Sequence, residues 1–255
     1  PNPGMIGGSK LYVYEWVDDK LVGRAFFDAH LYVTTLKTLK YFVIFGDVHH
    51  SMHLLRWRED IRMLQLLGRD PITCSIYASE FVVIGSTFGC VASDQQGNFQ
   101  VFVYDPNDPE FRRQQLLVRA DLHVGARINK MVRWTMPFRA KHGVRTAAHY
   151  ATLDGGIGAV APLSEESYRR LLALQNLLVN AIPHHAGLNP RSWRLFRPGK
   201  SMVRRYAKNF LDCSLLGRYL HLDVTLQTQL AGAVNQTRDA IFGDLFEVLI
   251  GTHIT

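Results

Sequence analysis

Histidine side chains gather at two places in the chain, and neutral imidazole is a common ligand of zinc and other metals. His49, His50 and His53 lie within one short stretch, and His184 and His185 lie in another. A metal site needs ligands that converge on one point, and it usually includes carboxylate or thiolate groups. The stretch HHSMH (49–53) also lacks the HExxH pattern of zinc metalloproteases. We therefore interpret both groups as turn histidines and predict neither a metal nor another cofactor.

The sequence also lacks convincing motifs for phosphate binding or covalent catalysis. Asp154-Gly155-Gly156 is glycine-rich, but the sequence around it has neither the GxxxxGK[ST] nor the GxGxxG pattern. A hairpin turn is the better interpretation, since β-type runs lie on both sides. No GxSxG occurs, and no Ser/His/Asp or Cys/His set stands out. We expect no enzyme here; a hydrolase in the centre of a propeller, which would need converging polar groups, is the last-ranked hypothesis.

The sharpest candidate site is a basic segment, residues 191–208, which contains no acidic residue. Basic groups bind phosphates or carboxylates, and interleaved aromatic side chains stack on bases or anchor partners. A solvated helix face with the aromatics in the core is the leading interpretation. As an interaction surface, the segment favours a protein partner or acidic peptide over RNA, because it contains no recognised RNA-binding motif. The candidate residues are Arg191, Trp193, Arg194, Arg197, Lys200, Arg204, Arg205 and Lys208.

The bulk composition is that of an ordinary globular protein. Of the 255 residues, 47% are hydrophobic, and 29 basic residues against 22 acidic ones give a net charge of +7. This surplus mildly favours polyanionic partners such as RNA. Three cysteines without paired spacing argue for a reducing compartment and against a disulfide framework. No apolar run reaches the ~18 residues that a membrane-spanning helix needs, so we expect no membrane association.

Short strands with period-two patterning are predicted over residues 8–162. A phrase in which a strand ends in Asp, turns and resumes occurs at 46–57, 93–104 and 152–162. The spacing fits four-stranded propeller blades, whereas a seven-stranded sandwich does not explain the repeat. The sequence accounts for about three blades, and a closed propeller needs ~4–8. We therefore expect the missing blades to come from upstream sequence of a longer protein.

The remaining residues, 163–255, predict helices. Ser164 is the expected N-cap of a helix that Pro183 ends, and Thr237 is the expected N-cap of the last helix. The wide apolar face of that last helix predicts docking onto the β body or a partner, and docking within the molecule is the favoured interpretation. After the first helix, the predicted helices cover Arg191–Phe196, Ser201–Leu220 with a break near Asp212, Val224–Val234 and, as the last one, Arg238–Ile250. The fold class is thus a partial β-propeller (1–162) followed by a C-terminal helical domain (163–255).

Four long strings carry a resemblance to a known family. They are RADLHVGARIN (119–129), ATLDGGIG (151–158), YRRLLALQNLL (168–178) and PHHAGLNPR (183–191). The sequence resembles the family of the largest subunit of the cleavage and polyadenylation specificity factor. The wider family includes the large subunit of the damaged-DNA-binding complex and a splicing factor 3b subunit. The resemblance implies three β-propellers followed by a helical domain, with residues 1–162 forming the last blades of the third propeller.

The resemblance also implies a function. It suggests a nuclear, non-catalytic scaffold of pre-mRNA 3′-end processing, with no catalytic residue to carry over. The implied partners are the WD-repeat and zinc-finger subunits that recognise the polyadenylation signal, the upstream propellers of the same protein, and pre-mRNA only indirectly or weakly. Two alternatives stay open: direct RNA binding through the basic segment, or a scaffold of a related ubiquitin-ligase or splicing complex.

Overall fold

Antiparallel β-structure dominates the first two thirds of the chain. The computed structural model describes residues 8–84, 87–105, 114–136, 145–197 and 207–252. Its strands are β1 Lys10–Val17, β2 Lys20–Asp28, β3 Val33–Leu39, β4 Phe42–Asp47, β5 Met52–Arg58, β6 Met63–Arg69, β7 Ile76–Ile84, β8 Thr87–Asp94, β9 Asn98–Val103, β10 Leu117–His123, β11 Ile128–Met136, β12 Arg145–Thr152 and β13 Ile157–Val160. They form a β1–β2 hairpin, two four-stranded sheets (β3–β6 and β7–β10) and a three-stranded sheet (β11–β13), each in sequence order.

The sheets pack face to face, and each interface holds its own apolar cluster. The β1–β2 and β3–β6 sheets enclose Leu11, Ala29, Phe45, Leu55 and Leu64. The β3–β6 and β7–β10 sheets enclose a cluster that includes Ile44, Met52, Leu54, Ile76, Phe81 and Phe102. The β7–β10 and β11–β13 sheets enclose Ala78, Val82, Val91, Phe99, Ile128, Met131 and Ala148. A strand covered on both faces need not alternate, which explains the continuous apolar run of β4.

The first strands of the three larger sheets, β3, β7 and β11, lie side by side, as the inner strands of a propeller do. Thr35 Oγ1 of β3 lies 3.0 Å from Ser79 Oγ of β7. Lys37 Nζ of β3 donates to Glu80 Oε2 of β7 and to the Met131 carbonyl of β11, both at 2.8 Å. The four described sheets form an arc around these strands rather than a closed ring. The prediction of a partial β-propeller followed by helices is confirmed.

The repeated phrase occupies equivalent hairpins in successive sheets. Residues 46–57 include the β4–β5 turn, 93–104 the β8–β9 turn, and 152–162 the β12–β13 turn. Asp47 and Asp94 are buried at these turns, and their carboxylates accept backbone N–H groups of the turn. Asp154 is exposed instead, and its hydrogen bond with Thr152 lowers the pKa of its carboxyl. The phrase therefore marks a position in the sheet, while the buried carboxylate is common to only two copies.

Helices follow the last strand, and the four longest α-helices share one apolar core. The helices are α1 Glu165–Ala181, α2 Pro190–Trp193, α3 Cys213–Gly217, α4 Val224–Ala233 and α5 Arg238–Thr252, with short 3₁₀ helices at His185–Gly187 and Arg218–His221. The predicted N-caps are confirmed, since Ser164 Oγ accepts from the Ser167 N–H and Thr237 Oγ1 accepts from the Ala240 N–H. Helix α5 buries Ile241, Leu245 and Val248 in this core, as its wide apolar face predicted.

The helix predicted over Ser201–Leu220 with a break near Asp212 is wrong for residues 207–212, whereas the part after Asp212 is helical. Residues 207–212 are not helical, and α3 begins only after Asp212, whose carboxylate caps it through the Ser214 N–H at 3.0 Å. Lys208 is extended because it forms an antiparallel bridge with Asp121 of β10. A tertiary contact with a strand edge therefore overrides the local helical preference of this stretch.

Candidate functional site

The described parts of the basic segment lie along the outer edge of the β7–β10 sheet. β10 is the last strand of that sheet, so one row of its backbone groups lacks a neighbouring strand. The Arg194 carbonyl accepts from the His123 N–H at 3.2 Å. Lys208 and Asp121 exchange two backbone hydrogen bonds of 2.9 and 3.0 Å. The segment thus covers the strand edge, which would otherwise be open to pairing with another chain.

Arg194 fixes the first part of the segment, and its charge is already neutralised. Its Nε donates to Asp212 Oδ2 at 3.0 Å, and Nη1 donates to the Val124 carbonyl at 3.2 Å. Its guanidinium also lies over the Trp193 ring, 3.7 Å from the centroid. The Arg194 and Asp212 side chains are only 18% and 13% exposed. A carbonyl, a carboxylate and an aromatic face therefore occupy this guanidinium, and its role here is structural.

Asn98 holds the segment at a second point through a buried polar network. Its Oδ1 accepts from the Arg197 N–H at 3.0 Å, and its Nδ2 donates to the Arg197 carbonyl at 2.8 Å. The same Nδ2 lies 2.6 Å from Asp94 Oδ2, and His123 Nδ1 lies 3.0 Å from Asn98 Oδ1. Burial raises the pKa of the Asp94 carboxyl, while the hydrogen bonds from Asn98 oppose that rise. Asn98 is fully buried, so these bonds fix the backbone of Arg197 firmly.

The structure separates the candidate residues into two groups. Arg191, Arg197 and Lys208 are exposed, whereas Trp193 and Arg194 are half-buried. Lys200, Arg204 and Arg205 lie outside the described residues. For Arg197 and Lys208, only backbone atoms make the contacts given above, so their charged ends extend into solvent. Arg191 uses its guanidinium in a hydrogen bond to Asn176 of α1.

Asn98 and Asp212 are the residues that sequence reasoning missed at this site. Asn98 lies in the repeated phrase SDQQGN (93–98), but nothing local indicates that its amide bonds a backbone 99 residues away. The sequence indicates Asp212 only as the position of a helix break. Its second role, the ion pair with Arg194, connects residues whose proximity depends on the packing of the helices.

The interpretation of the histidine group near residue 50 as turn histidines is wrong for His53, which lies in strand β5, whereas His49 and His50 lie between β4 and β5. His50 Nδ1 lies 3.2 Å from Asp47 Oδ2, and the His49 and His50 rings meet edge to face. His53 is buried and stacks on Phe45 with a centroid distance of 4.5 Å. Burial lowers the pKa of His53 to about 4, although the charge of Asp47 acts in the opposite direction. His184 Nε2, at the other histidine group, lies 2.7 Å from the Val179 carbonyl.

Two other kinds of site are absent from the described residues. No group of three or more histidine, cysteine, aspartate or glutamate side chains in this part of the chain is placed to hold a metal ion. Within the same residues, no helix has both the length and the apolar character needed to cross a bilayer.

Comparison with known proteins identifies the family. A family model described as the CPSF A subunit region matches residues 6–221. The chain belongs to this family. The matched region of the CPSF A subunit family includes all four sheets, α1 and the described parts of the basic segment. The resemblance that the four sequence strings indicated is therefore confirmed.

Curated relatives in plants, animals and yeast extend this assignment. "Cleavage and polyadenylation specificity factor subunit 1" of Arabidopsis thaliana is 40% identical over 248 residues, which is 96% of this chain. The protein with the same name in Drosophila melanogaster is 32% identical over 94% of this chain. "Protein cft1" of Schizosaccharomyces pombe is 29% identical over 94% of it. The similarity of this chain therefore extends to relatives in plants, animals and yeast, but the chain spans only about 17% of the length of these relatives.

Proposed function

We propose that this chain is part of a non-catalytic scaffold subunit of the pre-mRNA 3′-end cleavage and polyadenylation machinery. The observation that carries the proposal is the similarity to proteins named cleavage and polyadenylation specificity factor subunit 1, which extends over 94–96% of this chain. Those names describe a specificity factor, which favours recognition and assembly over catalysis. The corresponding location is the nucleus, where pre-mRNA is processed.

The architecture supports a scaffold in a physical way. An arc of four sheets presents open ends, at β1–β2 on one side and β11–β13 on the other. The β1–β2 hairpin buries one face against the β3–β6 sheet, and Tyr12, Tyr14 and Trp16 are more than half exposed on the other. Apolar sheet faces of this kind need a covering layer. In our proposal, upstream propellers of the same protein complete the arc.

The domain division and the partner assignments belong to this proposal. Strand β13 ends at Val160 and α1 begins at Glu165, which favours a boundary near residue 163 between a propeller part (1–162) and a helical domain (163–255). The proposed partners are the WD-repeat and zinc-finger subunits that recognise the polyadenylation signal. Pre-mRNA would then be held mainly by those subunits.

The test is affinity purification of the full-length protein from nuclear extract, followed by mass spectrometry. Recovery of the WD-repeat and zinc-finger polyadenylation subunits would support the scaffold function. Recovery of cullin-ligase or splicing subunits in their place would contradict it and move the protein to another branch of the wider family. A tagged variant with a disrupted helical core, such as Leu178→Asp, is the control. Subunits that it still recovers bind only the upstream propellers.

A further inference from the structure

Exposed basic side chains lie beside the edge of β10, on a backbone that hydrogen bonds hold in place. Arg197 and Lys208 are exposed, and their backbones are bonded to Asn98 and Asp121. The points where the segment meets β10, at residues 123 and 121, are about 7 Å apart along the strand. Arg127, in the turn after β10, is also exposed, and its carbonyl is held by the Leu153 N–H. The three exposed cations therefore lie beside β10 and the turn that follows it, and we name this set the strip.

Acidic groups do not neutralise this strip within the described residues. The side chains of Arg127, Arg197 and Lys208 have no ion pair with any described carboxylate. Asp121 is buried in β10, and Asp212 is used by Arg194. Exposed like charges repel one another, so an array of cations on a rigid backbone gains free energy from a polyanionic partner.

The geometry favours an acidic polypeptide over RNA. Single-stranded RNA is bound largely by stacking its bases on exposed aromatic side chains. Of the described aromatics in the basic segment, Phe196 is 5% exposed and Trp193 is covered by the Arg194 guanidinium. The edge of β10 is also occupied, so a peptide cannot add to it as a strand. A partner can therefore be recognised mainly through the exposed positive charges of the basic side chains.

We propose that Arg127, Arg197 and Lys208 form a docking strip for an acidic polypeptide segment of a partner subunit. The inference rests on the proposed scaffold function, because it gives the chemistry of one partner that the scaffold holds. It also changes the set of candidate residues. Arg194 and Trp193 position the strip, while Arg127, which lies outside the basic segment, joins it.

The experiment compares charge reversals in the full-length protein. The test variant is Arg197→Glu with Lys208→Glu, and the matched control is Lys20→Glu with Arg56→Glu, two exposed basic residues away from β10. The probes are a fluorescein-labelled poly-glutamate peptide and a poly-uridine RNA of equal charge, followed by fluorescence anisotropy at two salt concentrations. A neutral variant, Arg197→Gln with Lys208→Gln, provides a second measurement in case the charge reversal unfolds the protein.

We expect the wild type and the control to bind poly-glutamate with similar affinity. The test variant should bind about tenfold or more weakly, and added salt should weaken the wild-type binding through screening. Unchanged binding by the test and neutral variants would overturn the proposal. Tighter binding of poly-uridine than of poly-glutamate would also overturn it, in favour of RNA. Neither result affects the recovery of polyadenylation subunits in the purification experiment, so failure of the strip and failure of the scaffold function are distinguishable.

Discussion

Lys37 and Glu80 connect the first strands of two neighbouring sheets through an ion pair of 2.8 Å. The Glu80 side chain is only 6% exposed, and its second oxygen accepts from the Phe81 N–H at 3.0 Å. Lys37 of β3 also donates to the Met131 carbonyl of β11. One ammonium group therefore connects the β3–β6 sheet with both the β7–β10 and the β11–β13 sheets. The centre of the arc is therefore held by a buried polar contact, while apolar clusters hold the sheets further out.

Removing the ammonium group should destabilise the propeller part. In a Lys37→Met variant, the Glu80 carboxylate would lose its partner while staying buried, which is costly for a charge. Since Lys37 is 25% exposed, we expect a loss of about 1–3 kcal/mol in the free energy of unfolding rather than the full cost of breaking a buried pair. Urea denaturation followed by tryptophan fluorescence measures this loss, with Lys20→Met as an exposed control. A double variant, Lys37→Met with Glu80→Gln, should lose less than the sum of the single variants, and strict additivity would contradict the coupling.

Replacing Asn98 should release the basic segment from the sheet. An Asn98→Ala variant leaves Asp94, His123 and the Arg197 backbone without their shared partner, and we expect a loss of about 2–4 kcal/mol. The more specific readout is amide hydrogen exchange of residues 194–197, which should become faster than in the wild type.

The control for this variant is Asn129→Ala, because Asn129 is exposed at the start of β11. It should change neither the stability nor the exchange of residues 194–197. If Asn98→Ala lowered the stability without faster exchange in the segment, its role would lie in the β8–β9 turn alone.

Local patterns were sufficient to predict the elements that depend on local physics. The repeated phrase identified three equivalent hairpins, and Ser164 and Thr237 were identified as caps from residue type and position. The sequence predicted about three blades, because each copy of the phrase belongs to one sheet, and the described residues form four sheets. The edge strand β10 was missed, since its residues LVRADLH include charged and small side chains that resemble a loop.

The site was predictable only in composition. Seven basic residues without an acidic one marked residues 191–208, but the helical interpretation failed where Lys208 pairs with β10. The exposure of each cation depends on partners that are far away in the sequence, such as Asn98 for Arg197 and Asp212 for Arg194. Long-range pairing of this kind leaves no periodic signal in a single sequence.

The buried His53 should make stability depend on pH. Burial is the main reason that its pKa is lowered from 6.5 to about 4, and the neighbouring His50, Arg69 and His30 act in the same direction against Asp47. Between pH 6.5 and 4 the unfolded chain therefore binds more protons at this residue than the folded chain does. Stability should fall as the pH decreases through this window, by up to about 3 kcal/mol, and this term should be constant above it.

A His53→Phe variant tests this prediction, because Phe keeps the stacking on Phe45 and cannot be protonated. The Nδ1 atom of His53 has no hydrogen-bond partner among the described residues, so the substitution removes no such bond. The difference in unfolding free energy between variant and wild type should grow as the pH falls from 6.5 to 4. His221→Phe, which replaces an exposed histidine, should keep the wild-type profile. Parallel profiles for His53→Phe and the wild type would contradict the burial argument.

Two adjacent arginines on α1 should contribute very differently to the helical core. Arg170 forms a two-pronged pair with Asp244 of α5, with Nε–Oδ2 and Nη2–Oδ1 distances of 2.7 and 2.8 Å. The Asp244 side chain is 12% exposed, so it depends on this partner. Arg169 pairs with Glu165 on the same helix, and both side chains are 75% exposed. Solvent and salt screen the second pair far more strongly than the first.

We therefore expect Arg170→Met to lower the free energy of unfolding by about 1–3 kcal/mol and Arg169→Met by less than about 0.5 kcal/mol. Both variants remove one positive charge from the same helix, so the comparison cancels effects of net charge and helix propensity. Thermal unfolding at low and high salt measures both losses. The Arg170 loss should persist in salt because the geometry is fixed and Asp244 is shielded from water. Equal losses from both variants would show that the contact between α1 and α5 rests on the apolar core alone.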